Sequence, residues 1–468
     1  MLFNSFTFLF LFLPVTLLVY YIVPVQFKNG ILFLCSLLFY AWGKPIYVIL
    51  LLLVSVFNYI CGREIEEKQK SPVLAKKCMV MAVTVNLALL VFFKYLAPLV
   101  EGMEAVFSVN MHFRELKVPI GISVYVLQAI GYLVDIYRGK IKAQRRLWDF
   151  ALYLSMFPQM CSGLIVRYSD LDWQIRERNF NLTRFGDGVM YFIRGLAKTV
   201  LIANTVGDAF EQIMMAEPEM LSMMTGWLGC MLFGFRIYFD LSGYADMAIG
   251  LGQMFGFRLR KNFEYPYTAQ SIAEFWRRWH LSLTAWFQEY VYAPLGGDEN
   301  GTAQTVQNVL IVWGLIGFWY GASWHFLAWG LYFGVLLLLE RYVWKDALLK
   351  LSSIFRRIYA MALIFIGWIF FFSPDMGYAM RYLGTIFGIG ASGLLDHQTI
   401  YLILTNWGAI LLAVVSSGTL GYELLQRMMY NMRKQTVRPV VACVVYGILF
   451  LLTIAFLELD MFTPFFYL

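Results

Sequence analysis

Long stretches of this sequence contain no aspartate, glutamate, lysine or arginine. Residues 1–27 form one such stretch, and residues 300–339 form another. Only 14% of the residues are charged, against about 25% in an ordinary soluble domain. A further 60% are hydrophobic. A chain of this composition cannot keep its apolar surface away from water by folding alone, so it must use lipid as the solvent for most of its surface.

Apolar segments recur along the chain and predict an all-α, polytopic membrane protein with about eleven spans, since a spanning helix needs about 17–25 apolar residues. The first segment has neither the basic start nor the small-residue cleavage site of a signal peptide, so we predict that it is retained. Several segments are short, and Lys44-Pro45 separates two of them. The predicted spans are residues 6–24, 30–43, 46–60, 78–93, 118–134, 147–166, 220–256, 305–339, 358–373, 400–418 and 439–457.

Lysine and arginine are concentrated in four loops, at residues 63–77, 138–146, 341–357 and 427–438. The positive-inside rule places such loops in the cytoplasm of a cell membrane. The uncharged N-terminus and the acidic C-terminal end, with Glu458 and Asp460, are then predicted to lie outside. These loops explain the net charge of +7, so no nucleic-acid partner is predicted.

The chain shows no internal repeat, low-complexity linker or separable soluble segment, which predicts one domain over residues 1–468 with its motifs concentrated in 118–339. Its six cysteines contain no Cys-x-x-Cys pair. We interpret them as small core or lipid-facing residues and predict neither disulfides, nor a metal site, nor a bound cofactor. The cysteines are Cys35, Cys61, Cys78, Cys161, Cys230 and Cys443.

The uncharged run at residues 300–339 is too long for one perpendicular helix. At about 1.5 Å per residue it would extend roughly 60 Å, twice the roughly 30 Å of the hydrocarbon core. Gly314, Gly317 and Gly321 offer places where the run can bend or break. We therefore predict a break or a tilt here, with "GFWYGASWHFLAWG" (317–330) near the middle of the membrane.

Charged residues also occur inside the apolar segment "GFRIYFDLSGYADMAIGLG" (234–252). Arg236 and Asp240 are four residues apart, on one helical face, where they can pair. Charges at membrane depth usually line a cavity or a pathway. A clamp that only fixes helix packing is an equal alternative, because Ser242, Gly243 and Ala245 suit close packing.

The stretch "SIAEFWRRWHLSLTAWFQEYVYAPLGG" (271–297) interleaves charged residues with aromatic residues on a helical period. An interfacial helix with an aromatic belt would explain its tryptophans and arginines. It explains His280 less well, because the chain has only four histidines. His280 is therefore a candidate general base. The alternative, that it is a structural histidine, stays open.

His325 is a second candidate. A neutral imidazole accepts a proton near pH 7, and an apolar channel favours its neutral form. A histidine that only bonds a neighbouring helix is the open alternative.

The residues described so far resemble the membrane-bound O-acyltransferase family, in the branch of the alginate O-acetylases. The resemblance is strongest at "NFEYPYTAQSIAEFWRRWHLSLTAWFQEYVYAPLGG" (262–297) and continues through "GFWYGASWHFLAWGLYFG" (317–334). It also includes "VPIGISVYVLQAIGYLVDIYRG" (118–139) and "YFDLSGYADMAIGLGQMFGF" (238–257), and it weakens beyond about residue 375.

The resemblance implies a ring of helices around a central tunnel with a histidine at its narrow middle. It implies transfer of an acyl group, usually acetyl, from a cytoplasmic donor to an extracellular polysaccharide. The donor is expected to be acetyl-CoA or another acyl thioester, and the acceptor is often reached through an exported partner with a serine-hydrolase-like fold. We predict that the tunnel lining or the substrate site includes Asp240, Arg236, Trp276, Arg277, Trp279, Trp319 and Trp324.

The sequence departs from the family pattern at two places. The family histidine of the Trp-His-Gly-Ala step is Tyr320 here, while the histidine of the Arg-Trp-His step is kept as His280. In "FPQMCSGLIVRYSDL" (157–171) the family's Gly-Pro step is Gly163-Leu164, although Arg167 remains.

Three hypotheses follow from the tyrosine at position 320. His325 and His280 form a relocated acid–base pair; or His280 acts alone, with Tyr320 as an oxyanion donor; or acyl transfer has been lost. On an unbroken helix His325 lies about 140° around the axis from Tyr320, so the first hypothesis needs a break near Gly321. The competing class of function is a transporter, pore or scaffold without covalent chemistry.

Overall fold

The computed structural model describes residues 1–107, 118–178, 180–419, 421, 423 and 437–459. These residues form α-helices joined by turns and contain no β-strand, which confirms the all-α prediction. In chain order the helices are α1 Leu13–Ile22, α2 Lys28–Ala41, α3 Ile46–Glu67, α4 Pro72–Phe107, α5 Ile122–Tyr137, α6 Leu147–Ser155, α7 Phe157–Met160, α8 Tyr168–Arg176, α9 Leu182–Ala197, α10 Thr205–Met214, α11 Met223–Met254, α12 Ile272–Trp276, α13 Leu281–Phe287, α14 Thr302–Tyr320, α15 Trp324–Tyr342, α16 Lys345–Lys350, α17 Ser353–Phe372, α18 Met376–Ile386, α19 His397–Ser417 and α20 Val437–Leu459.

Six helical segments among the described residues are long and apolar enough to cross a membrane. Shorter apolar helices occur at Thr7–Ile22, Val25–Ala41 and Ile122–Tyr137. Large apolar side chains point outward from these helices; Leu404 is 67% exposed and Leu451 is 68% exposed. Such a surface is typical of contact with lipid. The six segments are Ile46–Lys70, Pro72–Val100, Leu182–Met214, Ser353–Phe372, His397–Ser417 and Val440–Glu458.

The segment Leu182–Met214 was not among the predicted spans. It consists of α9 and α10, joined by a π-helical turn at Lys198–Asn204, so the helix is continuous over 33 residues. Its charged residues, including Arg184 and Asp187, interrupt the apolar run. A plain count of apolar residues therefore missed the segment.

The predicted span at 147–166 is wrong as a single helix. The chain forms α6, leaves the helical conformation at Met156 and resumes it only for the single turn of α7. Pro158 lies two residues further on, and a proline has no N–H to donate and clashes with the carbonyl group four residues before it. The residues of α6 from Phe150 to Ser155 are buried, so this region is core.

The predicted break in the long uncharged run is confirmed. Helix α14 ends at Tyr320, the backbone is extended at Gly321 and Ser323, and α15 begins at Trp324. The depth of this break in a membrane stays a prediction. By contrast, the predicted span at 220–256 is one unbroken helix, α11. Residues 427–436 of the fourth basic loop, and Asp460, lie outside the described residues.

The described residues divide into two compact units. The first comprises residues 1–192 and 244–260, and the second comprises residues 193–243 and 261–465, each within the described ranges. Helix α11 contributes to both. The prediction of a single domain stays a prediction.

The core of the second unit is largely aromatic. The Trp368 ring centroid lies 5.2 Å from that of Trp279 and 6.1 Å from that of Trp329. The Trp329 ring in turn contacts Phe333 at 5.5 Å. This aromatic cluster packs α15 and α17 against the segment that follows α12.

Candidate functional site

The second unit contains a cavity of about 720 Å³ beside α12, α13, α14, α15 and the start of α17. One face of α14 forms a wall of it. The wall residues recur at intervals of three and four residues, which places them on one side of the helix; they are Val309, Val312, Trp313, Ile316 and Tyr320.

Helices α14 and α15 form an antiparallel hairpin, which gives the cavity two different ends. Gly317 and Gly330 lie where the two helices touch, since a Cβ at either position would clash with the backbone opposite. Along α15, Arg341 follows Trp324 by 17 residues, about 25 Å at 1.5 Å per residue. The cavity therefore extends from the level of Tyr320 to the far end of α15.

Cations line the far end of the cavity, which we call the basic end and define by Arg341, Lys345 and Arg356. Arg341 forms an ion pair of 2.7 Å with Asp298. Neither Lys345 nor Arg356 has an acidic partner within 4 Å in the described ranges. The basic end can therefore attract an anionic group.

Helix α12 begins at this end and is fixed there by an acid. The buried Glu340 carboxylate accepts hydrogen bonds from the N–H groups of Ile272, at 2.7 Å, and Ala273, at 3.0 Å. Ser271 and Glu274 add a capping box: the Ser271 hydroxyl accepts from the Glu274 N–H at 3.0 Å. Glu274 in turn accepts from the Gln270 N–H at 2.8 Å.

Replacing Glu340 by alanine is expected to lower the thermal midpoint and the yield of folded protein. One buried and one partly buried N–H group then lose a charged acceptor, and each such bond contributes up to about 1.5–3 kcal/mol. Thermal unfolding in detergent measures the effect. Glu299, which is exposed, is the control: Glu299→Ala is expected to leave the midpoint unchanged. An unaltered midpoint in Glu340→Ala would contradict this role.

From the basic end, α12 extends towards the other end of the cavity. The Trp276 ring in its last turn lies 5.6 Å from Trp329, and the Tyr320 ring lies 5.2 Å from the same Trp329. His280 lies four residues after Trp276, beyond the end of α12, and lines the same cavity as Tyr320. We call the end lined by His280 and Tyr320 the inner end.

The backbone of His280 is in the left-handed region, at φ 44°, which is uncommon for a residue other than glycine. Asn262 fixes this turn from both sides. Its carbonyl accepts from the Leu281 N–H at 2.9 Å, and its side-chain oxygen accepts from the Ser282 N–H at 2.9 Å. Strain that neighbouring bonds hold in this way is typical of functional sites.

The imidazole of His280 is buried. Its Nδ1 has no hydrogen-bond partner in the described part of the chain. Burial lowers the pKa of His280 from its usual value near 6.5 to about 4. The ring is therefore neutral at physiological pH, which is the form that a general base needs.

Tyr320 is the other polar residue of the inner end. Its ring packs against Trp319, Trp329 and Phe371 at centroid distances of 4.9–5.2 Å. Its hydroxyl makes no hydrogen bond to any other described residue. It is therefore free to donate one to a molecule in the cavity.

His325 lies outside the cavity lining. It is buried in the first turn of α15, and its Nδ1 lies 2.9 Å from the carbonyl oxygen of Phe370 in α17. A carbonyl oxygen accepts, so Nδ1 carries the proton in this bond. The contact matches the alternative that the sequence left open, a histidine that bonds a neighbouring helix.

The other predicted site residues are divided between cavity and core. Trp276 and Arg277 line the cavity, whereas Trp279 is buried in the aromatic core. Trp319 is also buried away from the lining, and Trp324 is 76% exposed on the surface.

Arg236 and Asp240 likewise lie outside the lining of this cavity. Arg236 forms an ion pair of 2.8 Å with Glu211, a partner that the sequence did not predict. Asp240 is buried in α11. A pairing between Arg236 and Asp240 stays a prediction.

Several residues of the site were missed by reasoning from the sequence. Asn262 and Glu340 act through bonds to distant backbone, which leave no local pattern. The basic end was interpreted only as a solvated loop, although three cations within 16 residues directly after a predicted span were a usable signal. Within the described ranges, no cluster of histidine, cysteine and acidic residues could hold a metal ion.

The chain is similar to known proteins over most of its length. The sequence model of the membrane-bound O-acyltransferase family matches residues 122–391. The chain is 38% identical over 422 residues to the probable alginate O-acetylase AlgI of Azotobacter vinelandii, which covers 89% of this chain and 84% of that protein.

Two further relatives cover most of the chain. Identity to the probable alginate O-acetylase AlgI of Pseudomonas aeruginosa is 35% over 445 residues, covering 94% of this chain and 84% of the relative. Identity to the peptidoglycan O-acetyltransferase of Helicobacter pylori is 32% over 430 residues, covering 84% and 81%.

Proposed function

We propose, for a chain that belongs to the membrane-bound O-acyltransferase family, that it transfers acetyl groups from a cytoplasmic thioester to an extracellular polysaccharide. The observation that carries the proposal is one cavity with cations at its basic end and a buried, neutral histidine at its inner end. Three relatives are named for O-acetylation of alginate or peptidoglycan, which supports acetyl as the acyl group and a polysaccharide as acceptor.

The basic end fits the carrier of an acyl thioester. Acetyl-CoA is anionic through its phosphates, and Lys345 and Arg356 offer charge to them. The elongated apolar wall of α14 then accommodates the pantetheine arm, so that the thioester reaches the inner end. Because the basic end belongs to the loop at 341–357, the positive-inside rule places it in the cytoplasm.

At the inner end, His280 and Tyr320 have complementary roles. The neutral His280 imidazole accepts the proton of the attacking hydroxyl as its oxygen bonds to the thioester carbonyl carbon. Tyr320 donates a hydrogen bond to the developing oxyanion. When the C–S bond breaks, the imidazolium returns its proton to the leaving thiolate, which regenerates neutral His280 and releases a free thiol.

The hydroxyl that attacks belongs either to the polysaccharide or to an exported partner with a serine-hydrolase-like fold that carries the acetyl group onward. We propose such a partner because the polymer is extracellular while the donor is cytoplasmic. The proposed location is the cytoplasmic membrane of a bacterium, with both termini outside.

The function is tested in the organism that carries the chain. Deleting its gene is expected to remove O-acetyl esters from the envelope or secreted polysaccharide, measured by proton NMR before and after mild alkaline hydrolysis. Wild-type protein is expected to restore them. In proteoliposomes of the full chain, labelled acetyl-CoA should yield free CoA and an acetyl ester. Unchanged polysaccharide esters in the deletion strain would overturn the proposal, and so would label that crosses the membrane still attached to CoA.

Removing the cations of the basic end is expected to weaken donor binding more than turnover. In the double variant Lys345→Gln, Arg356→Gln, the KM for acetyl-CoA should rise about three- to tenfold, because partly exposed charge pairs each contribute up to about 1 kcal/mol. The kcat should change little. Added salt should reduce the difference in KM between the wild type and the double variant, because salt screens the charges. Arg381→Gln removes an exposed cation outside the cavity and serves as the control. A lower kcat at constant KM would contradict this role.

A further inference from the structure

The first unit contains another cavity, of about 640 Å³, whose lining shares no residue with the cavity of the second unit. It lies beside the start of α2, the residues before α6 and the end of α8. Five cationic and two acidic side chains line it, so cations predominate in its lining. The cationic residues are Lys28, Arg145, Arg146, Arg176 and Arg178.

Two of these cations are neutralised by acids outside the cavity. Arg145 forms an ion pair of 3.0 Å with Glu66, and Arg176 forms one of 2.8 Å with Asp172. Lys28, Arg146 and Arg178 have no acidic partner within 4 Å among the described residues of this unit. These three cations still outnumber the two acids of the lining, Asp149 and Glu177, so the cavity keeps a small net positive charge.

Contacts with the cavity wall hold the side chain of Arg178 in position. Its guanidinium lies 4.3 Å from the centre of the Phe257 ring, and its Nη2 donates to the side-chain oxygen of Asn29. Asn29 is itself held, because its amide donates to the carbonyl of Ile175 at 2.9 Å and to Asp149 at 3.2 Å. The guanidinium thus has a fixed place and direction.

One nitrogen of this guanidinium lacks an acceptor. The Nη1 of Arg178 is buried and has no hydrogen-bond partner among the residues that the structure describes. A buried cationic donor without an acceptor is unfavourable by itself. An anion in the cavity would satisfy it, and phosphate oxygens match the geometry of a guanidinium.

The rim of the cavity is apolar. Val25, which lines it, is 78% exposed, and Ile22 at the end of α1 is 73% exposed. Tyr20 and Tyr21 add aromatic wall, and the Lys28 ammonium lies 5.0 Å and 5.1 Å from the centres of their rings. Aromatic and basic residues beside exposed aliphatic ones are typical of the headgroup region of a membrane.

We propose that this cavity binds the phosphate group of an anionic ligand, held by Arg178, Lys28 and Arg146. Its position next to exposed apolar residues favours the headgroup of a membrane phospholipid as the source of that phosphate. The site is distinct from the acyl-transfer cavity and does not depend on the proposed function.

The test uses the purified, delipidated full chain in neutral detergent. Native mass spectrometry measures retention of phosphatidylglycerol and of a diacylglycerol with the same acyl chains, which lacks the phosphate. The wild type is expected to retain phosphatidylglycerol preferentially. Lys28→Gln, Arg146→Gln and Arg178→Gln should each reduce that preference about tenfold, as expected for a lost charged hydrogen bond. Arg260→Gln, whose side chain is largely exposed and outside the cavity, should retain it.

A second arm separates the two sources of phosphate. In one outcome, inorganic phosphate raises the thermal midpoint of the wild type but not of Lys28→Gln, and the protein shows no lipid preference. This outcome would support the phosphate site and show that its ligand is a soluble molecule. Equal retention of both lipids without any effect of inorganic phosphate would overturn the proposal. So would a lipid preference that all three variants keep. Lys28→Gln and Arg146→Gln keep the test valid if Arg178→Gln does not fold.

Discussion

Replacing His280 by asparagine is expected to reduce acetyl transfer by about 10²–10⁴-fold while the protein stays folded, because a positioned general base contributes about that factor. Asparagine is chosen because, like histidine, it tolerates the left-handed backbone that this position adopts. The thermal midpoint and the yield should therefore remain close to those of the wild type. Release of free CoA from acetyl-CoA in proteoliposomes is the measurement.

Two other histidines serve as controls for this variant. His397 is exposed at the start of α19, and His397→Asn should have full activity. His325→Asn should lose the bond to Phe370 and some stability, about 0.5–1.5 kcal/mol, but only a small part of its activity per folded molecule. If His325→Asn abolishes transfer while His280→Asn does not, the base is His325 and the role given to His280 is wrong.

The pH profile provides a second readout for His280. Because burial lowers its pKa to about 4, the neutral imidazole persists as the pH falls through the usual histidine range near 6.5. The acid limb of kcat is therefore expected below pH 5 and not near 6.5. A limb near 6.5 that disappears in His280→Asn would show that the ring is solvated during turnover.

Much of this fold follows from local pattern. The break at Gly321 follows from the length of the uncharged run set against the thickness of a bilayer. The end of α2 before Lys44-Pro45 follows from the chemistry of proline. By contrast, α9 and α10 form a helix that is apolar only on its buried side and carries charges on the other. A hydropathy count averages over both sides, so it did not predict this helix as a span.

The sequence predicted only part of the site, because only some of its residues stand out from their local sequence. His280 and Tyr320 attract notice because rare or displaced residues stand in apolar surroundings. Glu340 caps a helix 67 or 68 residues away, and Asn262 holds a turn about 20 residues away. Such bonds form only when segments that are distant in the chain pack against each other, and the local sequence does not predict this packing.

Replacing Tyr320 by phenylalanine is expected to reduce kcat by about 10²–10³-fold and to leave the KM for acetyl-CoA nearly unchanged, because a lost oxyanion donor affects only the transition state. The hydroxyl makes no bond to another described residue, so its removal should not lower the thermal midpoint. Steady-state kinetics of CoA release measures both constants. Tyr332→Phe, which removes a hydroxyl that donates to the Leu363 carbonyl outside the cavity, is the matched control.

The variant Tyr320→His decides between the remaining hypotheses for this position. An imidazole N–H also donates a hydrogen bond, so Tyr320→His should retain more activity than Tyr320→Phe if the residue acts as a donor. His280→Asn combined with Tyr320→His should stay inactive, since the proton acceptor is then missing. A wild type without activity that Tyr320→His makes active would contradict the donor role, because it would mean that tyrosine had switched the chemistry of this chain off.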